Sequence, residues 1–431
     1  MSSKTTSTAT KRGGSPTFTP KRRFPEFQHA PAWEPVSLRK ASVTVDERVG
    51  ERKLTPVSIS AGIGFVPQAE KFGRDISGNQ YQLYTLVRDG DFVFNKGNSL
   101  KFPQGCIYLL EGWGRVAAPN VFIAFRLKEG YSNGFFQNCF EQNQHGKQLK
   151  RHITSGARSN GLLNISKETF FGVEIPTPSL PEQQKIADCL TSVDTLIEAQ
   201  GRKVQALKSH KKGLMQQLFP QEGETQPRLR FPEFQAAGDW KGKTLGQIVQ
   251  VTSGLVDPTE SPYSDMPHIG GENIESDNVR LKPGKSARGL GLISGKYLFD
   301  SGHVLYSKIR PALNKVALPD FEGICSAEVY PIRPSDGKLS RFFLAYLLLS
   351  DAFLKYAKRH SDRSKIPKVN RESLLAYETG IPSLREQERI AECLTSVDDR
   401  LAAETRKLET LRFHRSALMQ QLFPQVGGGD A

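Results

Sequence analysis

Between positions 180 and 219 apolar or long side chains recur at Ile186, Leu190, Val193, Ile197, Gln200, Val204, Leu207, Lys211, Leu214 and Leu218, in alternating steps of four and three. That spacing is the seam of a coiled coil. It returns at Ile390, Leu394, Val397, Leu401, Leu408, Leu411, Leu418 and Leu422, because 180–221 and 384–425 are copies of one segment, identical at 24 of 42 positions. No proline interrupts Glu182 to Phe219 or Glu386 to Phe423, and both runs stop at Phe-Pro, where proline disfavours helix at the residue before it. Each copy predicts one helix of roughly 55 Å, a strut rather than a core element. Gln200 and Glu404 put polar groups mid-seam, and Lys211 and Arg415 do so again. Antiparallel packing would give the helices an approximate twofold axis and bring the midpoint pair together, with buried polar positions setting the register.

A second repeat opens each half: RFPEFQHAPAW from Arg23 is echoed by RFPEFQAAGDW from Arg230, matching Phe24 with Phe231, Phe27 with Phe234 and Trp33 with Trp240. The unit is thus opening motif, globular domain and long helix, in tandem. The predicted organisation is a disordered basic tail (1–22), a first domain (23–179), the first long helix (180–221), a polar linker (222–230), a second domain (231–383), the second long helix (384–425) and a short tail (426–431). The tail's Ser, Thr, Gly and Lys leave almost nothing to bury. Both domains are rich in Gly and Pro, with short β-branched and aromatic runs such as 91–94 and 303–306, which predicts mixed α/β (α+β) folds with irregular sheets, and a short helix near Leu339 to Tyr356. Between opening motif and helix the domains agree poorly. Two traces are shared: 90–96 against 302–308, ending at Lys96 and Lys308, and 164–176 against 370–382. A retained scaffold carrying diverged globular surfaces suits one task performed on two targets.

Charge changes the picture. The chain carries a formal net charge of +14 and a pI near 9.5, so an anionic partner is expected, nucleic acid before a membrane surface. No run of about 20 apolar residues exists and the N-terminus has no apolar core, so no membrane span or secretory signal is expected and the cytoplasm is the expected compartment. Lys147, Lys150, Arg151, Arg158 and Lys167 crowd 146–167 without an acidic residue. The aligned stretch 355–371 holds Lys355, Lys358, Arg359, Arg363, Lys365, Lys368 and Arg371 against one Asp362. A solvated basic face would read the same way, but recurrence at equivalent places favours DNA contact, with Lys and Arg neutralising phosphates and Arg able to read guanine edges. Lys308 and Arg310 form a second candidate edge and Arg288 a third. Phe135, Phe136 and Tyr131 read as core rather than stacking platforms.

Candidate chemistry narrows it further. The five cysteines form no CxxC pair, and Cys189 and Cys393, at one repeat position, suit packing on the apolar helix face. The histidines lack HExxH spacing, so no metal site is predicted; His210 and His414 suit a helix surface. Gly238 to Thr244 is one residue short of a phosphate loop, 319–328 lacks the lysine of a nuclease site, and no Asn/Asp-Pro-Pro-aromatic loop of an adenine methyltransferase is present. No catalytic constellation emerges.

The tandem arrangement, the helix starts LPEQQKIADCLTSVD and LREQERIAECLTSVD, and YSKIRPALNKVAL in the second domain resemble the specificity subunit of type I restriction-modification systems, over nearly the whole chain from about residue 23. Arg385 in place of Pro181 departs only at the helix start. The resemblance implies a non-catalytic DNA adaptor. Two target recognition domains would each bind one half of a bipartite asymmetric site in double-stranded DNA, held apart by the helix pair at roughly one to two turns of about 10 base pairs. The helices would dock two methyltransferase subunits, with restriction (nuclease-translocase) subunits joining them. No cofactor is expected on this chain, and S-adenosylmethionine, ATP and Mg are expected on the partners. The alternatives are a self-contained DNA-modifying enzyme and a free-standing bipartite DNA-binding regulator.

Overall fold

A computed structural model describes residues 17–424 apart from 98–101, 154–161, 336 and 363–364. The chain divides into two compact units: residues 1–199 with 408–431, and residues 200–407. The expected boundaries at 179 and 383 precede the long helices, and the compact units divide farther along, within those helices. Each unit takes one globular domain, the start of the long helix that follows it and the end of the other long helix.

The long helices run Leu180–Leu218 and Leu384–Leu422, as the uninterrupted seam predicts. Ile186, Leu190, Val204, Leu218, Ile390, Leu394, Leu408 and Leu422 are buried, and the remaining predicted apolar seam positions are half-buried. Within the first unit Asp194 pairs with Arg415 at 3.0 Å, and within the second Asp398 pairs with Lys211 at 2.7 Å. These are the same two repeat positions used in opposite order, so in each unit the helices run antiparallel. The seam cations thus meet an aspartate from the opposing helix. Gln200 donates to a Glu404 carboxylate oxygen at 2.7 Å and to its backbone carbonyl at 2.8 Å, so the midpoint polar residues meet as the antiparallel arrangement requires.

The first domain is closed by the antiparallel pair Glu34–Ser37 and Glu174–Thr177, the second by Lys241–Thr244 and Glu378–Ile381. The first has a four-stranded antiparallel sheet in the spatial order Ser42–Thr44, Ile123–Leu127, Asp91–Asn95, Cys106–Leu109. The second repeats that order with Val249–Val251, Val329–Pro334, Val304–Ser307, Val316–Ala317. One topology therefore underlies two sequences that hardly align. The additional sheets differ. The first domain adds four strands, with Thr55–Ser60 parallel to Arg115–Ala118, and the second adds three short ones.

The cores differ in composition. Phe92, Phe94, Phe125, Phe135, Phe136, Phe140 and Phe170 fill the first, where Ile186, Leu190, Leu422 and Phe423 from the two helices join them. Leu344, Leu347, Leu348, Tyr306 and Phe353 are prominent in the second, joined by Leu218, Phe219, Ile390 and Leu394. Phe135 and Phe136 are fully buried and Tyr131 packs on the same cluster, as expected of core residues.

Two expectations need correction. Residues 17–22 are not part of a free tail: Phe18 bridges Trp33 through paired backbone hydrogen bonds of 2.9 and 2.8 Å, Pro20 is buried and the Arg22 amide donates to the Gln421 carbonyl. Two apolar residues there suffice because they land on an existing aromatic core. The helix expected near 339–356 is two helices, Arg341–Leu349 and Asp351–Arg359. Ser350 separates them in an extended conformation (ψ 151°) and caps the second by accepting from the Phe353 amide, the usual preference of serine at a helix start. Residues 1–16 of the predicted N-terminal tail, and the C-terminal tail, lie outside the described residues.

Candidate nucleic-acid interface

The joint between domain and strut explains why both repeats carry Glu-Gln at the helix start. In the first unit Arg23 grips Glu182 through two guanidinium nitrogens at 2.8 and 2.5 Å, and the Trp33 indole donates to the same carboxylate at 3.3 Å. In the second, Arg230 grips Glu386 at 2.9 and 2.7 Å, with Trp240 at 3.3 Å. The next residue holds the domain helix: Gln183 accepts from the amide of Ser132 at 2.9 Å, and Gln387 from that of Ser340 at 2.8 Å. Ser132 and Ser340 are themselves the caps of Asn133–Glu141 and Arg341–Leu349. The opening Arg and Trp, the strut and the first domain helix are thus pinned together, which fixes how each domain's surface is presented relative to its strut.

On that surface the structure gathers some of the predicted cations. In the second domain the chain leaves Val304–Ser307 and runs beside the segment leading to Asn370. The Arg310 amide donates to the Pro367 carbonyl at 2.7 Å, the Val369 amide donates to the Lys308 carbonyl at 2.9 Å, and Ile309 bridges Lys368. Lys308 and Lys368, far apart in sequence, become neighbours. Arg371, at the start of Arg371–Leu375, joins them: its guanidinium lies 5.9 Å from the Tyr330 ring centre while the Lys308 ammonium lies 4.8 Å from the same ring. Lys308 is held below the ordinary lysine range by burial first and by the charges of Lys368 and Arg371 next, with Glu328 opposing. Arg310 is exposed and sits in the left-handed region at φ 47°, which is strained for a side chain of this size.

The first domain repeats the register with different residues. The Leu163 amide donates to the Lys96 carbonyl at 2.8 Å and Gly97 bridges Leu162. The counterpart of Arg371 is Lys167, bound to Asp46 at 2.8 Å. Lys147, Lys150 and Arg151 are exposed on the helix Gln144–Leu149 and the turn after it, the counterpart of the helix that carries Arg359.

Other predicted cations stand apart. Arg359 is paired with Glu222 at 2.7 Å and Arg288 with Asp265 at 3.1 Å, all four side chains largely exposed. Lys365 is exposed. Arg158 and Arg363 lie outside the described residues.

Sequence reasoning had no means to single out Tyr330, and it left the Arg–Glu–Trp joints unassigned. The repeated Arg and Trp of the opening motif and the repeated Glu-Gln were the available signal for the joints. His145 was missed as well: it is fully buried between Phe94 and Phe140, and burial pushes it down to about 4, so it is a neutral core residue. Among the described residues no group of three or more His, Cys, Asp or Glu is placed to hold a metal, and no helix is long and apolar enough to cross a membrane. A depression of about 250 Å³ beside Lys167 is lined by Arg39, Ser42, Thr44, Glu168 and Phe171.

A duplicated α+β domain, pinned in each copy to a long helix, defines a class of tandem two-domain scaffold. The chain belongs to the family of the type I restriction modification DNA specificity domain, whose model matches residues 87–209 and 237–412. It is 26% identical over 263 residues to the type I restriction enzyme EcoDI specificity subunit of Escherichia coli, a match spanning 56% of this chain and 58% of that protein. It is 25% identical over 291 residues to the MjaVIII specificity subunit of Methanocaldococcus jannaschii, over 64% of this chain and 67% of that one. In fold it is similar to the type I restriction-modification S subunit from M. genitalium, with a TM-score of 0.59 at 14% identity over 95% of this chain and 100% of that one. A chain from a structural study of complex assembly and conformational transition in the type I R-M system gives a TM-score of 0.54 at 18% identity, over 91% and 98%.

Proposed function

We propose that this chain is the DNA-reading, non-catalytic subunit of a type I restriction-modification complex, each domain binding one half of a bipartite asymmetric site and the helix pair setting the spacing. The observation that carries this reading is the recurrence of one sheet topology and one strand register, with Lys96 and Lys308 at the same place in it, in two domains whose sequences otherwise diverge. Phosphate contacts by a basic edge orient a protein on the duplex, while nearby loops read bases. Family membership supports two methyltransferase subunits and restriction subunits as partners in the cytoplasm, carrying the S-adenosylmethionine, ATP and Mg that catalysis needs. Leu196 and Phe413 stand 56% and 73% exposed on the struts, apolar surface of the sort a protein partner covers.

The test is co-purification with a methyltransferase subunit of such a system, then methylation mapping of DNA with and without this chain. Methylation at one split asymmetric motif only when the chain is present is the expected result. Binding of S-adenosylmethionine or cleavage of DNA by the chain alone would return the self-contained enzyme. Tight, specific binding that needs no methyltransferase would return the free-standing regulator.

A further inference from the structure

We propose that the edge formed by Lys308, Arg310, Lys368 and Arg371 in the second domain is an anchor for the DNA phosphodiester backbone, gripping every duplex alike and reading no base. The inference rests on the DNA-binding reading above and assigns one part of it.

Three observations point to backbone rather than bases. First, the side chains that converge here are held down. Lys308 lies over the Tyr330 ring at 4.8 Å, and Arg371 lies over the same ring and spends a guanidinium N–H on the Thr252 carbonyl at 2.7 Å. Reading a guanine edge takes a free two-pronged guanidinium that reaches into the groove. A tethered cation instead presents a point charge at a fixed height, which is what a phosphate needs. Second, positive charge outweighs negative: Lys368 meets Asp362 only at 3.9 Å, and Lys308 has Lys368 and Arg371 as like-charged neighbours against Glu328. An incoming phosphate would relieve that repulsion. Third, the turn bearing Arg310 is fixed by its backbone. The Arg310 amide is bonded to the Pro367 carbonyl, Pro311 follows, and Arg310 itself is strained at φ 47°. Strain of this sort persists where the surrounding structure over-determines it and is common at ligand clamps. The fixed turn presents an exposed Arg310 on the same edge as Lys368.

The experiment uses the full chain in complex with its methyltransferase partner, as wild type, Arg310→Gln, Lys368→Gln and Lys368→Arg. Affinity for a duplex carrying the mapped motif and for an unrelated duplex is measured between 50 and 200 mM salt, with the methylated motif mapped in parallel. Each Gln variant is expected to weaken both duplexes by the same factor, and to lower the slope of log affinity against log salt by about 0.9 for each phosphate no longer neutralised. The motif should stay unchanged and Lys368→Arg should retain binding. Relaxation at one base position, with the unrelated duplex unaffected, would make the residue a base reader and overturn the proposal. Unchanged affinity for both duplexes would remove this edge from the interface. If the wild-type complex binds no duplex, the parent reading falls and takes this one with it, an outcome distinct from the other two.

Discussion

At the start of each long helix the same contacts recur almost atom for atom: arginine to glutamate at 2.8 Å in one unit and 2.9 Å in the other, and tryptophan to the same carboxylate at 3.3 Å in both. At the basic edge the backbone recurs and the cations only in part. Lys308 and Arg371 rest on Tyr330 in the second domain, with Lys368 bridged to the residue after Lys308, while the first has Lys96, Leu162 and a Lys167 tied to Asp46. Side chains are repeated where the domain must be held rigid on its strut and have diverged where the two domains face outward. A mechanical joint admits few solutions, because a buried charge without its partner is costly. An exposed edge admits many.

The largest effects are expected at the joints. Glu182→Ala or Glu386→Ala leaves a buried guanidinium unpaired and should cost about 3–5 kcal/mol, comparably in the two units, as read by denaturant unfolding. A destabilisation confined to one unit would break the equivalence drawn here. Leu190→Ala and Leu394→Ala, both fully buried at the same repeat position, should each cost about 2–5 kcal/mol by leaving a cavity. A much smaller effect in one would mean that its surroundings collapse around the gap.

Acid should weaken the first unit through His145, while His268 and His303, held below the ordinary histidine range chiefly by burial, make the second unit acid-sensitive too. His145 has its folded-state value lowered to about 4 by burial, so in the window from about 6.5 down to 4 the unfolded chain takes a proton that the folded one refuses. Stability contributed by its neutral state is complete above that window and is lost as pH falls through it, by about 3 kcal/mol at most. Urea titrations across this range should show the decline, and His145→Phe should make it shallower; a profile that His145→Phe leaves untouched would assign the acid sensitivity elsewhere. The smallest effect is expected at Arg288. Its pair with Asp265 is largely exposed on both sides, so Arg288→Ala should change stability by less than about 1 kcal/mol. With the fold intact, any fall in DNA affinity in that variant would report a direct contact.

The struts were legible because a seam writes its period into consecutive residues: Ile186, Leu190, Val204 and Leu218 needed only their spacing. The shared sheet was legible at one strand, through the trace that ends in Lys96 and Lys308, and hidden elsewhere because sheet order is set by pairings between distant segments. Arg23 and Glu182 lie 159 positions apart, so nothing local announces their contact. The basic edge was half visible. Lys308, Arg310 and Lys368 could be nominated from charge alone, but Tyr330, the ring on which Lys308 and Arg371 rest, carries no sequence mark. Residues 17–22 misled because their composition is that of a tail, and composition does not see a waiting hydrophobic surface.

One contact at the middle of the struts gives the repeat a direction. Gln200 and Glu404 occupy the same repeat position and meet each other, amide to carboxylate. Were two copies of the first half to pair in this way, an amide would face an amide, and each could donate to the other. Two copies of the second half would set carboxylate against carboxylate in a half-buried seam. The two halves are therefore not interchangeable at this position: the first sets amide against amide, and the second sets carboxylate against carboxylate, relieved only as far as Lys407, the counterpart of the Lys203 that pairs with Glu404, can reach across.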